Sequence, residues 1–311
     1  MSNPGPAIAV VIVTYNSADV LGACLDALPA GCAGVRLTEV VVVDNVSADG
    51  TVALARTYAD RLPMTVVETG RNGGYAAGIN AGYAALERSG HDLDAVLVLN
   101  ADITMRPGAV ARLATELERP GAGIAVPRLV NPDGSLQPSL RRRPSLARAV
   151  AESVIGGRRA ARIRGLSELI LDPGRYEQPG TAAWATGAAM LISTEASADV
   201  GAWDESFLLY SEETDFALRA ADRGWQLRYQ PASVMAHVSG DAFVTNPMLG
   251  ALLVVNKVRL FRRRAGRVHG ALYHAAVTVG ALVRAAAGNR IARAALVALL
   301  VPSRRLRSLP G

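Results

Sequence analysis

The sequence predicts an α/β protein built on a mostly parallel sheet with helices on both faces. Two observations lead to this prediction: apolar, β-branched runs alternate with segments of helical period, and polar residues stand where each run ends. Parallel strands need crossover connections, which helices supply, and burial on both faces makes their sequences almost uniformly apolar. With 50% hydrophobic and 19% charged residues, the 311-residue chain has the composition of a globular protein.

Four strand and helix units follow one another up to residue 119. The strand segments are six to nine residues long, and the helical segments place apolar side chains such as Leu21, Leu25 and Leu28 on one face. Between 139 and 180 an arginine-rich segment interrupts the pattern, and we expect it to be mobile or to face the substrate. The predicted strands are 7–15, 37–44, 64–69 and 93–100, and the helices that follow them are 17–28, 49–62, 73–90 and 107–119.

Each of the four strands ends on polar residues. Ligands of open parallel sheets bind outside the carboxyl ends of the strands, so these residues predict one shared cleft. A single such residue would more often be a turn former or a helix cap. The residues concerned are Thr14, Tyr15 and Asn16, then Asp44 and Asn45, then Arg71 and Asn72, and finally Asn100 and Asp102.

Asp102 indicates a divalent cation and a phosphorylated ligand. A carboxylate beside a phosphate would repel it unless a cation lay between them, and Mg²⁺ and Mn²⁺ take oxygen ligands. The alternative for Asp102 is a turn or capping role before Pro107. The glycines of "RNGGYAAGINAG" (71–82), among them Gly73, allow close backbone approach, although a dinucleotide-binding loop would follow the first strand instead.

Positive charge is concentrated at the carboxyl-terminal end. Residues 238–311 hold 12 basic side chains and one acidic one, a net charge of +11. Apolar and basic stretches alternate there without interleaved aromatic platforms, which favours an anionic membrane surface over nucleic acid as the partner. The alternative is that these helices pack on the catalytic domain or join a homo-oligomer.

The number of cysteines, the amino-terminal segment and the apolar segment near the carboxyl end together predict the cellular compartment. Cys24 and Cys32 are too few for a disulfide framework, and the amino terminus lacks the basic region and cleavage site of a signal peptide. The stretch nearest to a membrane span, 270–288, is interrupted by His274 and Arg284. We therefore expect a cytoplasmic protein, held peripherally on the inner face of the plasma membrane if the tail binds lipid.

Seven ordered segments between residues 8 and 240 resemble the inverting glycosyltransferases of family 2, which have the GT-A fold, and within them the rhamnosyltransferase-like branch. The segments are "VVIVTYNSADVLGACLDAL", "VVVVDNVSADGT", "RNGGYAAGINAGY", "VLVLNAD", "WATGAAMLI", "VGAWDESFLLYSEETDFALRAADRGW" and "YQPASVMAHVSG". The resemblance implies a GT-A domain over 1–240, with a nucleotide-sugar half at 1–130 and an acceptor half at 131–240. A basic, amphipathic helical extension would follow at 241–311.

The resemblance also implies a reaction. A sugar, rhamnose or another deoxysugar, would move from a dTDP- or UDP-sugar to a hydroxyl of a glycan or polyprenyl-linked acceptor in cell-wall or surface-polysaccharide synthesis. Mg²⁺ or Mn²⁺ would be the cation. Two alternatives stay open: a nucleotidyltransferase, although no glycine-rich basic loop follows the first strand, and a catalytically weak, membrane-associated protein that only binds nucleotide sugars.

The same resemblance implies the site residues. Glu213 would be the catalytic base, and Asp102 and His237 the metal ligands. The acceptor side would contain Trp184, Gly187, Glu212 and Asp215. The nucleotide sugar would contact Thr14, Tyr15, Asn16, Asp44, Arg71, Asn72, Gly73, Asn80, Asn100, Ala101 and Asp102.

Two positions depart from the family pattern. The metal motif reads "NAD", with Asn100 and Ala101 before Asp102, where the family carries two acids or Asn-Pro-Asp, so we expect a cation bound only together with the donor. Glu213 stands where Asp is usual. Sugar transfer needs a cation for the leaving diphosphate and a base for the acceptor hydroxyl. We expect the helix amino terminus, with Ser211 as its cap, to favour ionised Glu213.

Overall fold

A mostly parallel sheet covered by helices forms the centre of the molecule in the computed structural model, which describes residues 5–163, 165–238 and 245–309. The strands within this part of the chain are β1 Ala7–Thr14, β2 Arg36–Asp44, β3 Met64–Glu68, β4 Ala95–Asn100, β5 Ile103–Met105, β6 Ala122–Val130, β7 Leu140–Arg141, β8 Gly180–Ala182, β9 Trp184–Ala185, β10 Ala189–Ser193 and β11 Gln226–His237.

The main sheet has the order β3-β2-β1-β4-β10-β6-β11-β5, with β8 beside β11, while β7 and β9 form a separate pair. Strands β3, β2, β1 and β4 are parallel neighbours, as are β6 and β11, and β10 runs antiparallel between β4 and β6. The carboxyl ends of β1 to β4 therefore lie along one edge of the sheet, here called the carboxyl edge. The predicted fold class is confirmed, and the four predicted strands agree with β1 to β4 within two residues.

The helices differ from prediction mainly at their ends. The predicted helix 49–62 is helical only over six residues, because the chain turns after Arg56 and brings the Tyr58 hydroxyl to the Gly22 carbonyl at 3.2 Å. The fourth helix begins at Ala109 rather than 107, after Gly108 with φ 68°. The helices are α1 Ala18–Gly31, α2 Thr51–Arg56, α3 Tyr75–Ser89, α4 Ala109–Leu117, α5 Leu146–Ile155, α6 Gly157–Arg162, α7 Thr194–Val200, α8 Glu212–Asp222, α9 Pro247–Ala286 and α10 Arg290–Leu300.

Helix α3 lies very close to β1 because glycines face the sheet. A Cβ atom added to Gly78 would come within 2.5 Å of Val13 Cγ1, and Gly82 approaches Val11 as closely. Any larger side chain would push the helix away from the sheet. This contact fixes the amino end of α3, and with it Tyr75, near the carboxyl edge.

Two helices form the carboxyl-terminal extension, α9 and α10. Gly266, with φ 75°, breaks α9 and folds its second half back on the first, so that Phe261 stacks on Tyr273 with ring centroids 3.9 Å apart. Lys257 of α9 pairs with Glu152 and Glu168 at 2.9 and 2.8 Å, which ties the extension to the arginine-rich segment. The predicted boundary between 240 and 241 lies outside the described residues.

Among the described helices, none combines the length and the apolar character that crossing a bilayer requires. Cys24 and Cys32 are both buried and free. Burial raises the pKa of each thiol to about 12, so neither is a reactive thiolate at neutral pH.

Candidate active site

Asp102 and His237, the two predicted metal ligands, lie side by side. Strand β5 follows Asp102 and pairs antiparallel with β11, which places His237 opposite Ile103. The His237 Nε2 atom is 3.4 Å from Asp102 Oδ2, and the two side chains are 15% and 11% exposed. The pairing of two strands far apart in sequence thus brings a carboxylate and an imidazole together next to the carboxyl edge.

Gln137 sets the orientation of the His237 ring. Its Oε1 atom lies 2.9 Å from His237 Nδ1, and its Nε2 donates to Asn131 Oδ1 at 3.4 Å, which turns the amide oxygen toward the imidazole. An amide oxygen only accepts hydrogen bonds, so Nδ1 carries a proton toward Gln137, and Nε2 is the ring nitrogen that faces Asp102. Metal-binding histidines are commonly held in this way by a second hydrogen bond.

The Asp102 and His237 pair suits a divalent cation that is shared with a ligand. Two atoms 3.4 Å apart can both bind one ion, since each bond would be about 2.1 Å long. Within the described part of the chain, no three His, Cys, Asp or Glu side chains converge on one point, so other ligand atoms would complete the coordination. Ala101 is buried, 6% exposed, so a second acid at that position would sit against the core.

Glu213 lies in the first turn of α8 against Gly187 and Tyr75. A Cβ atom on Gly187 would lie 3.2 Å from Glu213 Cβ and 3.5 Å from Tyr75 Cε1. The Tyr75 hydroxyl donates to the Gly187 carbonyl at 2.9 Å. Burial, followed by the charges of Glu212, Glu213 and Asp102, raises the Tyr75 pKa, so the carboxyl groups of both predicted halves of the site act on this phenol.

Glu212 and Glu213 have different environments although they are adjacent. Glu212 is 2% exposed and its Oε2 atom has no hydrogen-bond partner among the described residues. Burial and then the charge of Glu213 raise the Glu212 pKa well above the ordinary range. Burial also raises the pKa of Glu213, against backbone hydrogen bonds and the charge of Arg141, which lower it.

The amino terminus of α8 was expected to lower the Glu213 pKa, but burial raises this pKa by more. Backbone hydrogen bonds at the start of α8 do lower the Glu213 pKa, but burial dominates and the net direction is upward. Ser211 is the N-cap residue of α8, as predicted, but it has φ 78° and caps with its backbone carbonyl, which accepts from the Asp215 N–H at 2.8 Å, while its hydroxyl makes no capping hydrogen bond. A base whose pKa is raised toward neutral pH remains well suited to proton transfer.

Arg141 supplies a positive charge on the acceptor side. It belongs to β7, and its guanidinium carbon lies 5.6 Å from the ring centroid of Trp184 on the paired strand β9. Sequence reasoning missed Arg141 as an individual site residue and grouped it with an arginine-rich segment. Its neighbour Arg142 holds that segment in place by donating to the Ser167 and Leu169 carbonyls, both at 3.1 Å.

The predicted nucleotide-binding residues of β1 and β2 form a hydrogen-bonded loop. Asp44, 2% exposed, accepts hydrogen bonds from the Thr14 hydroxyl at 2.9 Å and from the hydroxyl and backbone N–H of Ser47 at 2.6 and 2.8 Å. Asn16, with φ 48°, accepts from the Ala48 N–H at 2.8 Å. Asp44 thus holds the shape of this loop, and Tyr15 and Asn16 are its more exposed members.

Three other predicted residues form hydrogen bonds or ion pairs with neighbouring side chains and backbone groups. Asn80 donates to the Trp203 carbonyl and to Glu205, both at 3.0 Å, and accepts from the Trp203 N–H at 2.9 Å. Arg71 pairs with the same Glu205 at 3.1 Å, close to Gly73. Asp215 turns its carboxylate to Arg219 at 2.7 Å, as expected for an i,i+4 pair. The amide of Asn80 and the carboxylate of Asp215 therefore each have partners within the protein.

The remaining predicted residues are held by backbone hydrogen bonds near the carboxyl edge. Asn72 accepts from the Gly74 N–H at 3.3 Å, at the start of α3. The Asn100 N–H donates to the Ala188 carbonyl at 2.9 Å, which joins the end of β4 to the segment that carries Gly187. Trp184 donates from its indole N–H to the Arg142 carbonyl at 3.1 Å.

Comparison with known proteins places the chain in a family. The family model for glycosyl transferase family 2 matches residues 9–174. An N-acetylglucosaminyl-diphospho-decaprenol L-rhamnosyltransferase of Mycobacterium tuberculosis is 32% identical over 240 residues, 74% of this chain and 75% of that protein. A low-salt glycan biosynthesis hexosyltransferase, Agl10 of Haloferax volcanii, is 28% identical over 68% of this chain and 61% of that protein.

A solved structure with the same fold is the mannosyltransferase PcManGT from Pyrobaculum calidifontis, in complex with GDP-Man and Mn²⁺. It has a TM-score of 0.57 and 20% identity, and the match covers 96% of this chain and 81% of that one. At this identity the likeness shows the fold. The fold and the sequence matches together define a glycosyltransferase with a GT-A fold. The chain belongs to glycosyltransferase family 2, close to its rhamnosyltransferases.

Proposed function

We propose that this enzyme is an inverting, cation-dependent glycosyltransferase that moves a sugar from a nucleotide diphosphate to a hydroxyl of a lipid-linked glycan. One observation carries the proposal: the charges of Asp102, which lies 3.4 Å from His237, and of Glu213, which packs near Gly187, both act on the Tyr75 hydroxyl. A cation site close to a base site is what this reaction requires.

The chemistry of each residue follows from its surroundings. Asp102 and His237 would hold the cation, which offsets the charge of the departing diphosphate. An imidazole in the donor set favours Mn²⁺ over the harder Mg²⁺. Arg141 places a positive charge near Glu213, whose pKa it lowers against the effect of burial.

Glu213 would accept the proton of the acceptor hydroxyl. The hydroxyl oxygen then forms a bond to the anomeric carbon while the bond from that carbon to the diphosphate oxygen breaks, and attack from the opposite face inverts the configuration. Burial raises the pKa of Glu213, and the backbone hydrogen bonds at the start of α8 and the charge of Arg141 lower it, so these surroundings set its basicity. Tyr75 would orient the cleft through its hydrogen bond to Gly187.

The substrate classes come from the relatives. The mycobacterial relative is named for a rhamnose transfer to an N-acetylglucosaminyl-diphospho-decaprenol, and this chain matches three quarters of its length. We propose the same classes here: a dTDP- or UDP-linked deoxysugar as donor and a polyprenyl-diphosphate-linked sugar as acceptor, in cell-wall or surface-polysaccharide synthesis. The enzyme would work at a membrane surface to reach such an acceptor.

Product formation with purified protein tests the proposal. Purified full-length protein is incubated with Mn²⁺, with dTDP-rhamnose or UDP-sugars, and with a short-chain polyprenyl-diphosphate N-acetylglucosamine, and the lipid product is analysed by mass spectrometry. We expect a single added sugar, with inverted anomeric configuration, and product formation slowed by about 10² to 10⁴ in Glu213→Gln. A product with retained configuration would contradict the proposed mechanism. So would a Glu213→Gln variant that releases nucleotide diphosphate as fast as the wild type does.

A further inference from the structure

A large open cavity lies within the carboxyl-terminal extension. Its volume is about 1380 Å³, and its walls come from the first half of α9, from α10 and the residues after it, and from the segment Ser206 to Leu208. Small-molecule sites usually measure about 300 to 1000 Å³, so this cavity is large enough for an elongated ligand.

The cavity has an apolar floor and a basic rim. Its described lining residues include eight arginines and no Asp or Glu. Arg290, Arg293, Arg304 and Arg307 form no ion pair within the described chain, in contrast to Arg263, which pairs with Asp204 outside the lining at 2.6 Å. The floor contains Met248, Leu252, Val255, Val258, Val297 and Leu299.

The positive charge of the rim acts on His274, which also lines the cavity. Burial, then Arg262 and Arg305, lower the His274 pKa, so the imidazole is neutral at pH 7. Its Nε2 atom is buried without a hydrogen-bond partner in the described structure. An anion in the cavity would offset the field that these arginines produce.

One wall of the cavity is the segment that leads to the proposed base. Leu208 lines the cavity, and its carbonyl accepts the Tyr75 N–H at 2.9 Å, while Glu213 follows five residues later. Asn256, also in the lining, donates to the carbonyls of Phe207 and Leu209. A ligand in this cavity would therefore be next to the cleft where sugar transfer is proposed.

We propose that this cavity binds the diphosphate and the first isoprenoid units of the lipid-linked acceptor. The arginines would pair with the diphosphate oxygens, and the apolar floor would cover the prenyl chain. The inference rests on the proposed function for the identity of the ligand. The cavity shares a wall with the segment before Glu213. This position favours the acceptor, which must reach the base, over a bulk membrane lipid, which need not.

Binding of farnesyl diphosphate to the full-length protein tests the site without needing activity. Calorimetry is done in chelator, so that the Asp102 and His237 site contributes no metal-bound diphosphate. We expect saturable binding by one molecule per chain, at least tenfold tighter than inorganic diphosphate or farnesol. The double variant Arg290→Ala and Arg293→Ala should lower the affinity at least tenfold.

The matched control removes the same charge elsewhere. Arg159→Ala with Arg162→Ala on α6 loses two exposed arginines that do not line the cavity, and it should bind farnesyl diphosphate as the wild type does. Glu213→Gln should also bind normally. Both double variants are checked for an unchanged thermal midpoint. In the transfer assay, Arg290→Ala with Arg293→Ala should raise the KM for the lipid acceptor and leave the KM for the donor unchanged.

Several results would overturn the site. Equal affinity for inorganic and farnesyl diphosphate would show an anion site without a lipid, and equal losses in both double variants would show nonspecific charge attraction. If the protein bound phosphatidylglycerol vesicles but not farnesyl diphosphate, the arginines would be assigned to membrane binding. If the protein formed a dimer and the Arg290→Ala and Arg293→Ala changes abolished it, the arginines would be assigned to contact with a second copy. Farnesyl diphosphate binding without any sugar transfer would keep the site and reject the proposed function.

Discussion

Asn256 of α9 donates a hydrogen bond from Nδ2 to the Phe207 carbonyl at 2.6 Å. The same nitrogen lies 2.9 and 3.2 Å from the carbonyls of Leu209 and Tyr210, and the Asn256 side chain is buried. This segment has positive φ at Leu208, Tyr210 and Ser211, a conformation that costs non-glycine residues about 1 to 3 kcal/mol each. The extension therefore helps to hold the strained segment before Glu213.

Asn256→Ala should weaken both folding and catalysis. Removing the amide leaves buried carbonyls without a donor, which costs about 1 to 3 kcal/mol in the free energy of unfolding. We also expect kcat to fall, since the segment before Glu213 loses its anchor. Asn246→Ala is the control: it removes the cap of α9, which accepts from the Met248 and Leu249 N–H groups, at a similar cost of about 1 kcal/mol. Equal kcat in the two variants would refute the coupling.

Glu213→Gln should strongly lower turnover but not donor binding. The amide fills the same space and cannot take a proton, so kcat should fall by about 10² to 10⁴, the usual contribution of a general base. Donor affinity is measured by calorimetry in the same preparation. The comparison variants are Glu212→Gln and Asp215→Asn, and a larger loss of kcat in either of them would show that the base is a different acid.

The pH dependence of the reaction should report the raised pKa of Glu213. The base works when ionised, so kcat/KM should be lost as the pH falls through that pKa, and the acid limb should lie above the ordinary glutamate range because burial raises it. Arg141 lowers the pKa, so Arg141→Ala should move the acid limb to still higher pH. Arg141→Lys keeps the charge and should shift it less. An acid limb that moves down in Arg141→Ala would exclude this electrostatic role.

Nucleotide binding should need the cation and the orientation of His237. In chelator, the affinity for the nucleotide diphosphate should fall at least tenfold, about 1.4 kcal/mol, because Asp102 then faces the phosphates with like charge. Gln137→Leu removes the acceptor for His237 Nδ1 and should weaken Mn²⁺ binding by about 10- to 100-fold, measured by electron paramagnetic resonance with the nucleotide present. Undiminished binding in chelator would defeat the metal assignment.

The residues at the carboxyl edge could be predicted because the sequence patterns that indicate them are local. Strands β1 to β4 are apolar runs separated by helices, and parallel pairing then forces their polar ends to one edge. The Asp102 and His237 pair could be named only through the family resemblance, since it depends on the pairing of β5 with β11. Long-range pairing of this kind has no periodic signal in a single sequence.

The residues that sequence reasoning missed lie in segments with no such pattern. Gln137 precedes the two-residue strand β7, Arg141 lies in a run of arginines, and Asn256 is a polar residue inside an apolar helix. Of these three residues, Asn256 is the one whose sequence context indicates a role, because a buried Asn within a helix must find partners for its amide. Which carbonyls it reaches depends on how α9 packs, and that follows only from the folded structure.

The outward face of the second half of α9 should bind anionic membranes. Val268, Leu272, Val279 and Val283 are 71%, 52%, 56% and 58% exposed, and their spacing of 4, 11 and 15 residues puts them on one helical face. Apolar insertion together with arginines, each worth on the order of 1 kcal/mol near an anionic surface, would hold the protein there without a membrane span.

Liposome flotation tests this membrane prediction with point variants rather than a truncation, because deletion after residue 244 would also remove Asn256 and its hold on the segment before Glu213. The full chain should float with phosphatidylglycerol vesicles at low salt and less at high salt, since salt screens the arginines. Leu272→Ser with Val279→Ser should reduce flotation, whereas Val46→Ser, an exposed valine on the loop after β2, should not. A chain that ignores anionic vesicles at low salt, yet forms a dimer that the Leu272 and Val279 changes abolish, would assign this face to assembly.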